Sequence, residues 1–184
     1  MLPSSWVNRF IRIKDGNTGN IQKIEFDERR YLKRPYDTPA RRILFMTSRQ
    51  TEKSTTIGNK LFAVSGMRPF YESLFVSPSA MQTTVFSRAR LDDIVEIRPL
   101  LQSMVTKGNT WNILEKEFAN KSKIYLRYAF LSADRIRGLS VNAVFGDEVQ
   151  DLLMSNMPVI EETASHHKDP LYVYSGTPKT LDNN

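Results

Sequence analysis

The stretch Arg42-Ile43-Leu44-Phe45-Met46-Thr47-Ser48-Arg49-Gln50-Thr51-Glu52-Lys53-Ser54 decides the fold. It opens with a β-prone apolar run, and helical spacing begins at Lys53 and continues to Val64. A strand, a short loop and a helix opening on Lys-Ser form the layout of a loop that holds nucleotide phosphates. Such a loop works through backbone N–H groups and a helix N-terminus, where partial positive charge collects. In that reading Lys53 reaches the β- and γ-phosphates and the Ser54 hydroxyl holds Mg²⁺. The usual glycines are missing: Thr47 stands at the first position and Glu52 at the second, directly before the lysine. A carboxylate beside phosphates must point outward or pair with a cation. Taken alone, the segment also reads as an ordinary helix start.

Working outward, aromatic and β-branched content predicts strands at Arg42–Thr47, Leu74–Ser77, Lys123–Tyr128, Ala143–Gly146 and Leu171–Ser175. Helical spacing marks Lys53–Val64, Ala80–Val105 and Leu152–Thr163. Strands alternating with helices predict an α/β fold with a mainly parallel central sheet flanked by helices. The runs ILFM and AVFG are expected to be central strands buried on both faces. The first forty residues mix charge and aromatics without a clear period and read as an N-terminal extension at the edge of a core domain that spans 41–184.

The run Ala143-Val144-Phe145-Gly146 leads into Asp147-Glu148-Val149-Gln150-Asp151. An apolar strand ending in Asp-Glu suits hydrolysis beside a phosphate loop. Asp147 would bind Mg²⁺ and Glu148 would polarise the attacking water. Successive side chains at a strand end point opposite ways, so adjacent carboxylates can divide these tasks. A polar loop capping a strand is the bland alternative.

A third strand runs into Ser175-Gly176-Thr177-Pro178. Hydroxyls here can sense a γ-phosphate and relay its loss, with Gly and Pro shaping the turn. An ordinary turn also fits. Arg135 and Arg137 precede the acidic strand, and Arg49 lies inside the phosphate loop. A guanidinium suits the charge of a transferring phosphoryl group, whether supplied in cis or by a neighbour. His166 and His167 read as exposed loop residues with no third ligand spaced to complete a metal site.

Composition sets bounds on these readings. The 184 residues are 40% apolar and 25% charged, which fits one globular domain and not a disordered chain. There is no cysteine, which excludes disulfide and thiolate-metal scaffolds. No apolar run approaches the roughly 20 residues of a bilayer span, and MLPSSWVNRF lacks the form of a secretory signal. Met1–Lys53 carries 12 Lys/Arg against 6 Asp/Glu, and the remainder carries 14 against 14, so the whole +6 excess is N-terminal. That excess can attract nucleic acid or phosphates, or form a solvated basic face. Arg29, Arg30, Lys33 and Arg34 are candidates for contact with DNA, and facing solvent or the nucleotide fits them equally.

The ordered motifs resemble the ATPase domain of the large terminase subunit of tailed bacteriophages. Ser48-Arg49-Gln50-Thr51-Glu52-Lys53-Ser54 is similar to that family's phosphate loop. The segments Ser132–Gly138 and Asp147–Asp151 resemble its pre-acidic and acidic motifs, and Ser175–Pro178 its coupling motif. Phe75–Leu91, with Ser77-Pro78, Gln82 and Phe86-Ser87, is similar to the strand and helix after the loop. The resemblance covers about Arg41 to Pro178. It implies a P-loop NTPase fold of the additional-strand (ASCE) type, with ATP and Mg²⁺ as cofactors.

The resemblance further implies a nucleotide-binding set of Ser48, Arg49, Gln50, Thr51, Glu52, Lys53, Ser54 and Thr55. Ser54 and Asp147 would be the metal ligands and Glu148 the base. Arg49 would act in cis and Arg137 in trans, with Ser175, Gly176 and Thr177 as the coupling turn. The partners it implies are double-stranded viral DNA, a portal protein and a small terminase subunit. It implies a homo-oligomeric ring in the host cell cytoplasm, the isolated domain being a monomer away from any membrane. The family's adenine-reading glutamine has no counterpart within Phe26–Asp37, and Gln22 lies too far upstream, so the adenine contact is left unassigned. The chain ends at Leu181-Asp182-Asn183-Asn184, just past the coupling turn, so no nuclease activity is expected of it. Two other functions fit the same residues: a helicase-like nucleic-acid translocase, and a nucleotide- or DNA-binding module that does not hydrolyse.

Overall fold

The computed structural model describes residues 1–15, 18–106, 108, 110–129 and 132–178. The chain end read above, Leu181–Asn184, therefore lies outside the described residues. In chain order the elements are α1 (Pro3–Phe10), β1 (Arg12–Lys14), β2 (Ile21–Lys23), α2 (Arg30–Asp37), β3 (Arg42–Met46), α3 (Lys53–Met67), β4 (Glu72–Ser77) and α4 (Ala80–Phe86). There follow α5 (Asp93–Ile97), α6 (Pro99–Gln102), β5 (Glu115–Glu117), β6 (Lys123–Tyr128), β7 (Ala143–Gly146), α7 (Met157–Glu162) and β8 (Leu171–Gly176). A π-helical turn, Ser87–Asp92, joins α4 to α5.

Six strands form one sheet in the order β3-β8-β7-β4-β6-β5. Every neighbouring pair in it is parallel except β5–β6. The small β1–β2 hairpin stands apart. Alternation along each strand divides the apolar residues between two cores. Phe75, Ile124, Leu126, Phe145 and Val173 face one core, with α1 and α3. Leu74, Val76, Val144 and Tyr172 face the other, with Ile136, Leu152 and Ile160. Phe62 at the centre of α3 packs edge-on against Phe118 at 5.0 Å, and Phe75 stacks on Phe86 at 3.6 Å. Each such ring contributes about 1.5–3 kcal/mol through burial. Helix α3 is buried from Thr56 to Ser65 because the sheet lies on one side and α1 with the π-helical turn on the other. Its N-terminus is thereby fixed at the carboxyl edge of the sheet.

Three expectations are corrected. The ILFM strand is not buried on both faces: β3 is the sheet edge, and Leu44 and Met46 are 60% and 59% exposed. The second core stops at β8, so nothing among the described residues covers that face of β3. Ala80–Val105 is not one helix but α4, the π-helical turn, α5 and α6, with Arg98 extended (φ −133°) because Pro99 follows it. Leu152–Thr163 holds a 3₁₀ turn at Met154–Asn156 before α7, and another 3₁₀ turn at Val149–Asp151 precedes it. AVFG is fully buried as expected. Residues of the first forty, Trp6, Val7, Ile11 and Tyr36, enter the larger core.

Candidate active site

The parallel strands β3, β8, β7 and β4 end side by side, so the loops that leave them share one edge of the sheet. In open α/β sheets this carboxyl edge is where ligands bind. A cleft of about 1000 Å³ opens there. Arg49, Gln50, Thr51, Glu52, Lys53, Ser54 and Thr55 wall it on one side, with Glu148 and Thr177 opposite. A smaller adjoining cavity of about 320 Å³ is lined by Ser54, Asp147 and Glu148 together.

The loop after β3 keeps its shape without glycine. Gln50 and Glu52 take left-handed φ values of 61° and 60°, a conformation that costs a non-glycine residue roughly 1 kcal/mol. Hydroxyl bonds hold the bend: Thr51 Oγ1 lies 2.5 Å from Thr47 Oγ1 and donates to Ser48 O at 2.9 Å. The Glu52 carboxylate accepts from the Arg29 guanidinium, so the charge that is awkward beside phosphates is paired with a cation from just before α2. Lys53 opens α3 and is 6% exposed. Its Nζ donates to Ser48 O at 2.8 Å and to Thr177 Oγ1 at 2.9 Å, with Thr47 O at 3.5 Å.

Asp147 follows β7 and is 7% exposed. The Ser175 hydroxyl and the Glu148 N–H (3.0 Å) both donate to its Oδ1. Ser175 is fully buried in β8, so its hydroxyl meets that carboxylate out of contact with solvent. Glu148 has a left-handed φ of 51° and lines both the cleft and the smaller cavity, the latter together with Asp147. A serine hydroxyl and a carboxylate are hard oxygen donors of the kind Mg²⁺ takes, commonly with one or two carboxylates and the rest from water and phosphate. Among the described residues no group of three or more His, Cys, Asp or Glu is placed to hold a metal by itself. The donor set fits a metal shared with a phosphate ligand.

Other candidates fall outside the cleft. Arg137 is exposed, pairs with Asp134 at 3.2 Å, and does not line it. Arg135 bonds the Tyr128 hydroxyl and lies over its ring at 4.9 Å. Gln22 lines a separate polar cavity with Glu28 and Arg29. Of the two histidines His166 is exposed, but His167 is half-buried with its Nδ1 2.9 Å from Asn142 Nδ2, a correction to the reading of both as solvated.

The cleft also contains residues that sequence reasoning gave no role: Gln82, Arg90, Gln150 and Asp151. Gln82 closes a capping box with Ser79 at the start of α4. Arg90 sits half-buried in the π-helical turn, donates only to the neighbouring Ala89 O at 3.1 Å, and makes no ion pair among the described residues. The nearby Asp92 is engaged by Lys116 at 2.6 Å and by Trp111 at 2.8 Å. Burial pushes the Lys116 ammonium down while Asp92 draws it up. Gly58 is what lets this turn approach α3, since a Cβ there would stand 3.0 Å from Arg90 Cβ. A π-helical turn facing a cleft is a recurrent mark of function, but periodicity at this level does not distinguish it from continuous helix.

Among the described residues no helix is long and apolar enough to cross a membrane. No match was found among curated protein sequences. Among solved structures, the large terminase ATPase domain of Thermus phage P74-26 superposes with a TM-score of 0.65 at 18% identity, over 82% of this chain and 65% of that one. The HK97 bacteriophage large terminase gives a TM-score of 0.69 at 18% identity, over 96% of this chain and 38% of that one. The large terminase of another thermophilic bacteriophage, solved in complex with ADP, gives 0.57 at 12% identity, over 73% of this chain and 33% of that one. At these identities the likeness concerns the fold, a P-loop NTPase of the additional-strand type, and this chain spans less than two thirds of each relative's length. The model of the family "Phage terminase large subunit gpA, ATPase domain" matches residues 31–179. The chain belongs to the phage terminase large subunit gpA family and carries its ATPase domain.

Proposed function

We propose that this domain is an Mg²⁺-dependent ATP hydrolase that drives double-stranded viral DNA into a procapsid. The observation that carries the reading is the convergence of Lys53, Ser54, Asp147 and Glu148 on two adjoining cavities at the carboxyl edge of the sheet, with Ser54 and Glu148 lining both. Lys53 and the N-terminus of α3 bind the phosphates, aided by Arg49 in cis, and Gln50, Thr51 and Thr55 line their path. Ser54 and Asp147 would hold the metal, whose charge would offset that of the phosphates. Glu148 orients the attacking water and takes its proton. The coupling turn, Ser175, Gly176 and Thr177, reports loss of the γ-phosphate through the Lys53–Thr177 contact.

Arg137 is free of its own cleft, exposed, and held only by a local ion pair, which supports its acting in trans on the next subunit of a ring. Portal protein, small terminase subunit and the host cytoplasm follow from the family as further expectations, with the N-terminal extension at 1–40 as part of the motor's edge. The pairing of Glu52 with Arg29 weakens the rival reading of a decayed, non-hydrolysing module.

The test is steady-state phosphate release with Mg-ATP over a wide range of protein concentration, wild type beside Glu148→Ala. Turnover lost in the variant, with a per-subunit rate that climbs with concentration, supports the reading. Equal turnover in both proteins means Glu148 is not the base. Nucleotide binding with no turnover at any concentration, with DNA present, favours a binding module.

A further inference from the structure

Gln150 reaches from just past the acidic pair to the turn after β8. Its Nε2 donates to Glu148 Oε2 at 2.5 Å and also lies 3.4 Å from Asp151 Oδ2. Its Oε1 accepts from Thr177 N at 3.0 Å. A side-chain amide is directional, with one end that donates and one that accepts. The Thr177 N–H can only donate, so the amide oxygen must face it and the NH₂ group must face the carboxylates. Gly176 makes this approach possible, because a Cβ there would stand 2.8 Å from Gln150 Oε1. Thr177 in turn accepts from Lys53 Nζ at 2.9 Å through its side-chain hydroxyl. Glu148, Gln150, Thr177 and Lys53 thus form one continuous chain of hydrogen bonds across the cleft, running from the carboxylate to the phosphate-loop cation.

We infer that Gln150 is a positioning residue that ties Glu148 to the coupling turn. The inference rests on the proposed function above. While Lys53 sits on Thr177, the amide holds the Glu148 carboxylate in place. When Lys53 turns to a phosphate, Thr177 loses its side-chain donor, and any shift of its backbone N–H moves the amide and the carboxylate at the other end with it. The base is set by the same turn that senses the phosphate, with no large domain motion required.

Two substitutions separate this role from simple support of the turn. Gln150→Ala removes both ends of the bridge. Gln150→Glu keeps an acceptor for Thr177 N but replaces the donor toward Glu148 with a like charge. Both are expected to lower kcat for Mg-ATP by about tenfold or more, with KM and ADP affinity held within about threefold. Gln150→Glu should be at least as impaired as Gln150→Ala. A Glu variant that turns over like wild type, or losses confined to KM, would overturn the inference. A second readout needs no turnover: the Thr177 amide resonance of the whole chain should move in Glu148→Ala, carried through Gln150. An unmoved Thr177 amide overturns the link whatever the ATPase result. A wild type that binds no nucleotide overturns the underlying reading, and that result is distinct from either of these.

Discussion

Lys53 Nζ donates to Thr177 Oγ1 across 2.9 Å, joining residues 124 positions apart in the chain. The contact exists because β3 and β8 pair in parallel with Met46 opposite Gly176, so the residues that follow each strand emerge together. The bond sits at a buried ammonium that also has Ser48 O as a partner. Thr177→Val removes one acceptor of three and leaves the cation solvated by the loop. The expected result is ATP-analogue affinity within about threefold of wild type but a kcat lower by about tenfold, the cost of one charge-assisted hydrogen bond at the reacting centre. Titration calorimetry and phosphate release together check it. A Thr177→Val protein with weakened binding and intact kcat would make Thr177 a ligand contact and not a coupling residue.

Glu52 has a left-handed backbone where a glycine would serve, and it depends on Arg29 to offset its charge. Arg29→Ala leaves that carboxylate uncompensated at the phosphate wall. ATP affinity should then fall by about fivefold at low salt and recover as salt screens the repulsion. Adding Glu52→Gly should restore it, a non-additivity that a double-mutant cycle measures. For stability, Glu52→Gly relieves about 1 kcal/mol of backbone strain and loses a partly exposed ion pair worth about 0–1 kcal/mol. Its midpoint in urea should stay near wild type.

Strands were legible where each is a short apolar or alternating run: Ala143–Gly146, which carries Asp147 and Glu148 at its end, and its sheet-mate Lys123–Tyr128 have the bounds that the pattern predicts. What pattern cannot express is neighbourhood. Ile43 to Met46 reads as a buried run, yet β3 lies at the sheet edge, because burial is decided by which strand pairs beside it. β5, Glu115-Lys116-Glu117, has no apolar residue and is a strand because β6 pairs with it on one side and Trp111 bridges Lys116 on the other. The pairing of Glu52 with Arg29 and the bridge from Glu148 through Gln150 to Thr177 join residues that periodicity treats as unrelated loops. Arg90 was hidden in a stretch whose spacing reads as plain helix, where only backbone hydrogen bonding reveals the π-helical turn.

Arg90 is a half-buried cation on the cleft walled by the phosphate loop, with no counter-ion among the described residues. A desolvated guanidinium without a carboxylate gains most from a ligand phosphate. It also borders the smaller cavity that Asp147 and Glu148 line. Arg90→Gln is therefore expected to weaken a non-hydrolysable ATP analogue by about tenfold while ADP changes by less than about threefold. Arg90→Lys should recover part of the difference. Equal losses for both nucleotides would put Arg90 on the inner phosphates, and no loss for either would leave it without a role in binding.

Lys60 offers a prediction about stability that leaves the chemistry untouched. It is 3% exposed and donates to Pro35 O at 2.6 Å and Tyr36 O at 3.0 Å, carbonyls at the C-terminal end of α2, where partial negative charge collects. Burial pushes its ammonium from 10.5 down to about 8, with Asp37 drawing it up and Arg68 pushing it further down. The unfolded chain keeps this proton up to its ordinary value, whereas the folded protein releases it near 8. Between those two values the unfolded state binds more protons, so stability rises with pH as the folded lysine gives up its charge. Tyr36 beside it is pushed up to about 12 by burial, so its titration in the unfolded chain opposes the gain at the top of the window, but the variant keeps this tyrosine and the comparison of the two proteins cancels it. Lys60→Met removes the titration. Urea unfolding of both proteins at about pH 7 and about pH 9.5 should therefore show wild type gaining on the variant at the higher pH. A stability difference that does not change with pH would mean that the Lys60 ammonium keeps its ordinary affinity for the proton and that its two carbonyl bonds compensate its burial in full.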